Sequence, residues 1–211
     1  MVSGLSKLID PTQPLALDTG VVINLAATGM ADRILQALPN PIAIVDTVLD
    51  DLARNSDGER RALSIAQDLI RSSILKVAKA SDLTQGYFED LVAGDGPDTL
   101  DDGEAATIAY AVEHNTFVIL DERKALRICR ERYPALQIAT TADILCHPAV
   151  ERTLGSEFLR QSVMNALDAH MRVLPDYVDW VVELVGAEHA AKCSTIPASV
   201  RAAISKSRPT G

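Results

Sequence analysis

Carboxylates dominate the side chains of this 211-residue chain that could do chemistry, and a few stand out by where they fall. Asp18 closes the apolar run that begins at Leu15. The Asp50/Asp51 pair comes just after the β-branched run Ile42–Val45, Glu104 lies at the start of an Ala-rich stretch, and Asp121 ends the run Phe117–Leu120. Several carboxylates in one crevice repel one another, and some would take up protons at neutral pH unless a cation compensated them. An oxygen-only donor set selects a hard divalent ion, Mg2+ or Mn2+, and the sequence offers no His or Cys cluster at ligand spacing that would argue for zinc. Such an ion generates hydroxide from water, polarises a phosphodiester and stabilises the leaving oxygen, so metal-assisted hydrolysis is the expected chemistry.

The acids can meet only if the elements that carry them converge. Apolar and β-branched runs predict strands at Leu15–Asp18, Ile42–Val45, Ile74–Val77, Phe117–Leu120 and Leu136–Ala139. Helical spacing predicts Val21–Ala27, then Met30–Leu38 stopped by Pro39 and Pro41, Thr47–Arg54, a helix opened by Ser56 and Glu59 and running to Ser72, Leu100–His114 and Glu122–Arg132. Asp95–Asp98 is expected as a loop. Alternating strands and helices imply a parallel sheet covered on both faces, a three-layer αβα arrangement. Ligands in such sheets bind beyond the carboxyl ends of the strands, where these acids lie. After Pro148 only helices are expected, Glu151–Val173 and Pro175 to Ala191. The chain therefore divides into an α/β domain, 1–148, and a C-terminal helical extension, 149–211, docked on that domain or on a second subunit and ending in a disordered basic tail from Ser205.

Hydrophobic residues make up 47% of the chain and aromatics only 4%, so Ala, Val, Leu and Ile must fill the interior. No apolar stretch reaches the roughly 18 to 20 residues of a membrane span and no charged-then-apolar leader opens the chain, which predicts a soluble, cytoplasmic protein. Cys129, Cys146 and Cys193 are expected as buried thiols, and His114, His147, His170 and His189 as structural or surface residues. Tyr177 and Trp180 are expected as packing anchors. The net charge of -9 opposes nucleic-acid binding, yet Arg123, Lys124, Arg127, Arg130 and Arg132 form a local basic run, and the tail after Ala190 holds Lys192, Arg201, Lys206 and Arg208 without an acid. Arg123, Lys124 and Arg127 are candidate RNA-backbone contacts, although a solvated helix face is the simpler reading. The acids have simpler readings too: Asp18 and Asp121 as helix caps, Asp50 or Asp51 as a solvated helix face, and Asp101, Asp102 and Glu104 as charges favoured at a helix N-terminus. An aspartic-protease reading of the Leu-Asp-Thr-Gly string needs a β-rich chain, and a haloacid-dehalogenase-type phosphatase needs an Asp where Gly20 stands.

Four segments carry a resemblance: LALDTGVVINLAATG, IVDTVLDDL, LDDGEAATIAYAVEHNTFVILDERKALRICRE and LQIATTADIL. In this order they resemble the PIN domain family, from Leu15 to Leu145, the Gly-Glu-Ala helix start followed by the Asp-Glu-Arg-Lys-Ala strand end being the most specific piece. The resemblance implies catalytic acids at Asp18, Asp51, Glu104 and Asp121, with Asp18, Glu104 and Asp121 holding the metal. Thr19 would orient Asp18 or a water, Asn24 would bond a carboxylate or phosphate, and Asp50 and Glu122 are the neighbouring competitors of Asp51 and Asp121. It further implies an endoribonuclease acting on single-stranded RNA, a homodimer and, if a toxin of the VapC kind, inhibition by an antitoxin. Gly20 stands where Ser or Asn is common and Asp51 where Glu is usual. These departures support the alternative, a PIN-like RNA-binding or regulatory module with impaired metal chemistry.

Overall fold

The computed structural model describes residues 5–54, 57–93 and 99–206. Within them the chain runs β1 (Leu15–Leu17), α1 (Thr19–Thr28), α2 (Ala31–Ala37), β2 (Ile42–Val45), α3 (Asp46–Arg54), α4 (Asp57–Arg71), β3 (Lys76–Ala78) and α5 (Asp82–Val92). It continues through α6 (Asp102–His114), β4 (Phe117–Ile119), α7 (Arg123–Arg132), β5 (Ile138–Ala139), α8 (Thr141–Leu145), α9 (Pro148–Leu154) and α10 (Ser156–Asp168). A 3-10 turn at Pro175–Tyr177 leads into α11 (Val178–Val185), α12 (Ala187–Lys192) and α13 (Ala198–Lys206). The five strands pair in parallel in the order β3-β2-β1-β4-β5, with Leu15 opposite both Ile42 and Phe117 and Leu17 opposite both Ile44 and Ile119.

Side chains alternate across a strand, and here each face has its own helical cover. Leu15, Leu17, Ile42, Ile44, Phe117 and Ile119 join the core built with α1 to α4 and the C-terminal helices, while Ala16, Val118 and Leu120 join the core built with α5, α6 and α7. This is the three-layer architecture that the alternation of elements predicts. Burying each of these Leu and Ile side chains is worth about 1.5–3 kcal/mol, which makes the strand register hard to slip.

The C-terminal helices belong to the first of these cores: Leu154, Leu159, Val163, Ala166, Tyr177 and Val181 are buried in it together with Val22 and Leu25 of α1. Buried Asp143 pins this region from several directions. It accepts hydrogen bonds from the Lys7 amide (2.8 Å), from the Thr140 amide (2.8 Å) and hydroxyl (2.9 Å), and from Tyr177 Oη (2.5 Å). Among the described residues no helix is long and apolar enough to cross a membrane.

Several expectations on local structure fail for local reasons. The helix α5 was not anticipated from its sequence, because only Thr84 and Leu91 are buried on it and Gly86 interrupts its pattern. The single helix expected over Glu151–Val173 is two, since Gly155 takes a positive φ of 75° between α9 and α10, and α10 stops at Asp168 before His170 turns left-handed at φ 68°. Gly186 (φ 85°) likewise divides the helix expected from Pro175 to Ala191. The third strand starts later than expected, as the amides of Ile74 and Leu75 both donate to Leu69 O and hold those residues in the turn after α4. Ser205, expected in a disordered tail, lies in α13. The expected start signal at Ser56, the loop Asp95–Asp98 and the end of the tail, 207–211, lie outside the described residues.

Candidate metal and catalytic cleft

The strand order reverses at β1: the chain builds outward through β2 and β3, then returns to place β4 on the other side. Helices that leave β1 and β4 must diverge, and the gap between them is where a doubly wound sheet binds its ligands. Asp18 follows β1 and Asp121 follows β4 by two residues, so both stand over that gap. Glu104 joins them because α6 runs back toward β4 and therefore has its N-terminus at the carboxyl edge of the sheet. A cleft of about 550 Å3 results, with Asp18, Glu104 and Asp121 among its walls.

Asp18 is the N-cap of α1, and its Oδ2 accepts from the Gly20 amide at 3.3 Å. Its Oδ1 is buried and has no hydrogen-bond partner. Burial above all, then the charges of Glu104 and Asp101, pushes the Asp18 carboxyl up to about 8. Glu104 sits in a capping box: its amide donates to Asp101 Oδ1 at 2.8 Å and its Oε2 accepts from the Asp101 amide at 3.4 Å. Burial and the Asp101 charge push Glu104 up to about 7, against the pull of Lys124.

Asp121 is held by three donors. Thr141 supplies its amide (3.0 Å) and its hydroxyl (2.5 Å), and Asn24 Nδ2 donates at 2.8 Å. Burial still raises its pKa above the usual value, and these donors work against that rise by favouring the ionised form. Glu122, its neighbour in sequence, faces outward enough to pair with Arg172 at 3.1 Å on the cleft rim. The two adjacent acids thus occupy different environments, one buried and fixed, one half-exposed and salt-bridged.

Asp51 does not line the cleft itself. Its Oδ2 accepts from Thr19 Oγ1 at 3.5 Å and its Oδ1 pairs with Arg54 at 3.4 Å, with burial first and the charge of Asp101 second raising its pKa. Asp50 is exposed. The backbone of Gly103 passes so close to α3 that a Cβ there would collide with Asp51 Oδ2 and stand 2.5 Å from Thr19 Oγ1. The glycine of the Gly-Glu-Ala helix start is therefore what lets α3 and α6 approach each other beside Glu104.

Of the basic residues singled out in the sequence, Lys124 lines the cleft, Arg123 is exposed, and Arg127 pairs with Glu131 at 2.9 Å on the outer face of α7. Three polar residues of the cleft had no sequence role, Asp101 as more than a cap, His170 and Arg172, and neither had Thr141, which is buried behind Asp121. Thr141 could have been suspected from the Thr-Thr pair that opens α8, but His170 and Arg172 come from a segment with no motif, and His170 was expected to be structural or on the surface. The raised carboxyls and the orphaned Asp18 oxygen suit a divalent cation bound by oxygen ligands, which would lower those pKa values and give Asp18 Oδ1 a partner.

A second group of potential ligand atoms lies elsewhere in the chain. Asp168, His189 and Cys193 place one ligand atom each within 4.8 Å of the others, among the described residues.

The sequence model of the PIN domain matches residues 15–187, from β1 through the start of α12. No curated protein and no solved structure matches the chain.

Proposed function

The chain belongs to the PIN domain family, whose members are generally metal-dependent nucleases, and on that premise we propose that it is an endoribonuclease that cuts single-stranded RNA with Mg2+ or Mn2+. The observation that carries this reading is Asp18 Oδ1, a buried carboxylate oxygen without a partner, on a residue that lines a cleft shared with two more acids of raised pKa.

Asp18, Glu104 and Asp121 are the residues that would hold the ion, with Asp51 as a further carboxylate beside them. When bound, such an ion supplies an activated water and neutralises charge on the phosphate. The chain's own residues do the positioning. The Gly20 amide fixes one oxygen of Asp18 and leaves the other without a partner; Thr141 and Asn24 orient Asp121 and favour its ionised form; the capping box sets Glu104. Lys124 and Arg172 on the cleft walls would be the cationic contacts for substrate phosphates, with Arg123 and Arg127 of α7 as further candidate backbone contacts. A homodimer, a cytoplasmic location and an antitoxin segment that occupies the acidic cleft complete the toxin form of this proposal.

Cleavage of a panel of single-stranded RNAs, with and without Mn2+, tests the function alongside Asp18→Asn. Cutting that needs the metal and disappears in the variant is expected; equal activity in variant and parent would overturn the mechanism. A second reading, a PIN module that binds RNA without cutting it, is favoured by the position of Asp51, paired with Arg54 and off the cleft wall. Failure of Mn2+ to raise the melting temperature of the parent would select it.

A further inference from the structure

We propose that Asp168, His189 and Cys193 form a second metal site, of zinc type, that clamps the end of α10 to α12. It lies outside the acidic cleft and does not depend on the nuclease reading.

The geometry starts from a helical repeat. His189 and Cys193 are four residues apart, so both side chains lie on one face at the end of α12. Asp168, the last residue of α10, reaches the same point from a different element. The three ligand atoms all lie within 4.8 Å of one another, and His189 Nε2 is 3.2 Å from Asp168 Oδ1. Zinc bound tetrahedrally to N and O at about 2.0–2.1 Å separates those two ligands by about 3.3 Å, close to this spacing.

The hydrogen bonding points the same way. His189 Nε2 is buried and makes no hydrogen bond, although Asp168 Oδ1 is near enough to attract a charge; the two atoms are close but outside hydrogen-bond geometry. In the tautomer that carries its proton on Nδ1, this nitrogen offers its lone pair to a metal. Cys193 is buried, and its Sγ donates only to His189 O at 3.3 Å, a weak bond that metal binding would exchange for a thiolate ligand as the thiol proton leaves to water. The donor set of sulfur, imidazole and carboxylate suits zinc or a similar borderline ion rather than the hard ion of the acidic cleft. The Asp168 side chain is 63% exposed, so the fourth coordination position opens to water.

The site has a structural consequence for the cleft. His170 and Arg172, two and four residues beyond Asp168, line the cleft and Arg172 pairs with Glu122. An ion at Asp168 would therefore fix the start of the segment that supplies one rim of the cleft.

Cobalt(II) is the probe, because a thiolate ligand gives it a charge-transfer band that oxygen ligands cannot. The full-length protein carrying Asp18→Asn, reduced and anaerobic, is titrated with Co2+ and the absorption spectrum recorded. A thiolate-to-cobalt band that saturates at one equivalent, is displaced by Zn2+, vanishes in Cys193→Ser and weakens in His189→Gln is the expected result. Zinc at about a hundredfold excess over its Kd should also raise the melting midpoint by about 5–10 °C, with the rise lost in His189→Gln. The absence of a band, or a band unchanged in either variant, would overturn the proposal. The two variants guard against one failing to fold, and neither touches the acidic cleft, so RNA cleavage can fail while this site stands.

Discussion

Replacing Asp18 by Asn in protein stripped of metal should make it more stable, by an amount that depends on pH. A carboxyl whose pKa is higher folded than unfolded binds extra protons in the folded state, so its contribution to stability falls as pH rises. For Asp18 that loss begins above the unfolded value of 3.8 and is complete above about 8. At pH 7 the carboxyl is still protonated in the fold but would ionise on unfolding across about three decades of proton concentration, which at about 1.4 kcal/mol per decade is roughly 4 kcal/mol. Dielectric relaxation around the buried group reduces this about twofold, to roughly 2 kcal/mol. Asn is as good an N-cap as Asp, so its side chain still takes the Gly20 amide and the substitution removes the charge without removing the cap. In a chain of this size about 2 kcal/mol moves the melting midpoint by about 4–8 °C. Circular dichroism melts in a chelating buffer should therefore show Asp18→Asn above the parent by that margin at pH 7, and by about 1.5–3 °C at pH 5, where only about 1.2 decades separate solution from the unfolded pKa. Added Mn2+ should reverse the order at pH 7. A parent that melts above the variant without metal, or a gap that is the same at both pH values, would refute the burial argument.

Thr141→Val removes the hydroxyl that donates to Asp121 and should cost about 1–3 kcal/mol. Since it raises the already elevated Asp121 pKa further, urea denaturation should show a larger loss at pH 8 than at pH 5. Gly103→Ala should destabilise by about 1–3 kcal/mol through the clash with Asp51 and Thr19, and in a double-mutant cycle Asp51→Ala should recover part of that loss. Tyr177→Phe leaves the ring in place but takes a donor from buried Asp143; a loss of about 1.5–3 kcal/mol in the same denaturation assay is expected, and a change under 0.5 kcal/mol, of the size of surface substitutions, would show that the bond to Asp143 carries little.

Much of this protein is written in patterns a few residues long. Ile42–Val45 is a strand because four apolar residues lie between a proline stop and a helix start, and α6 begins at Asp102 because Asp101 and Glu104 form a capping box. The same local signals mark the acids that close strands and open helices, which is why Asp18, Glu104 and Asp121 stand out before any coordinates. Local signals cannot say which strands become neighbours. Only the pairing of β1 with both β2 and β4 brings Asp18 and Asp121, 103 residues apart, to one gap, and that pairing is settled by burying two alternating faces at once. The same holds for Thr141 against Asp121, for Arg172 against Glu122, and for Asp168 beside His189 and Cys193. Each of these meetings joins segments distant along the chain, so no periodicity within a segment could encode it. Gly155 and His170 decide it too, because their left-handed backbone turns the chain at the points where α10 begins and where the rim segment leaves it.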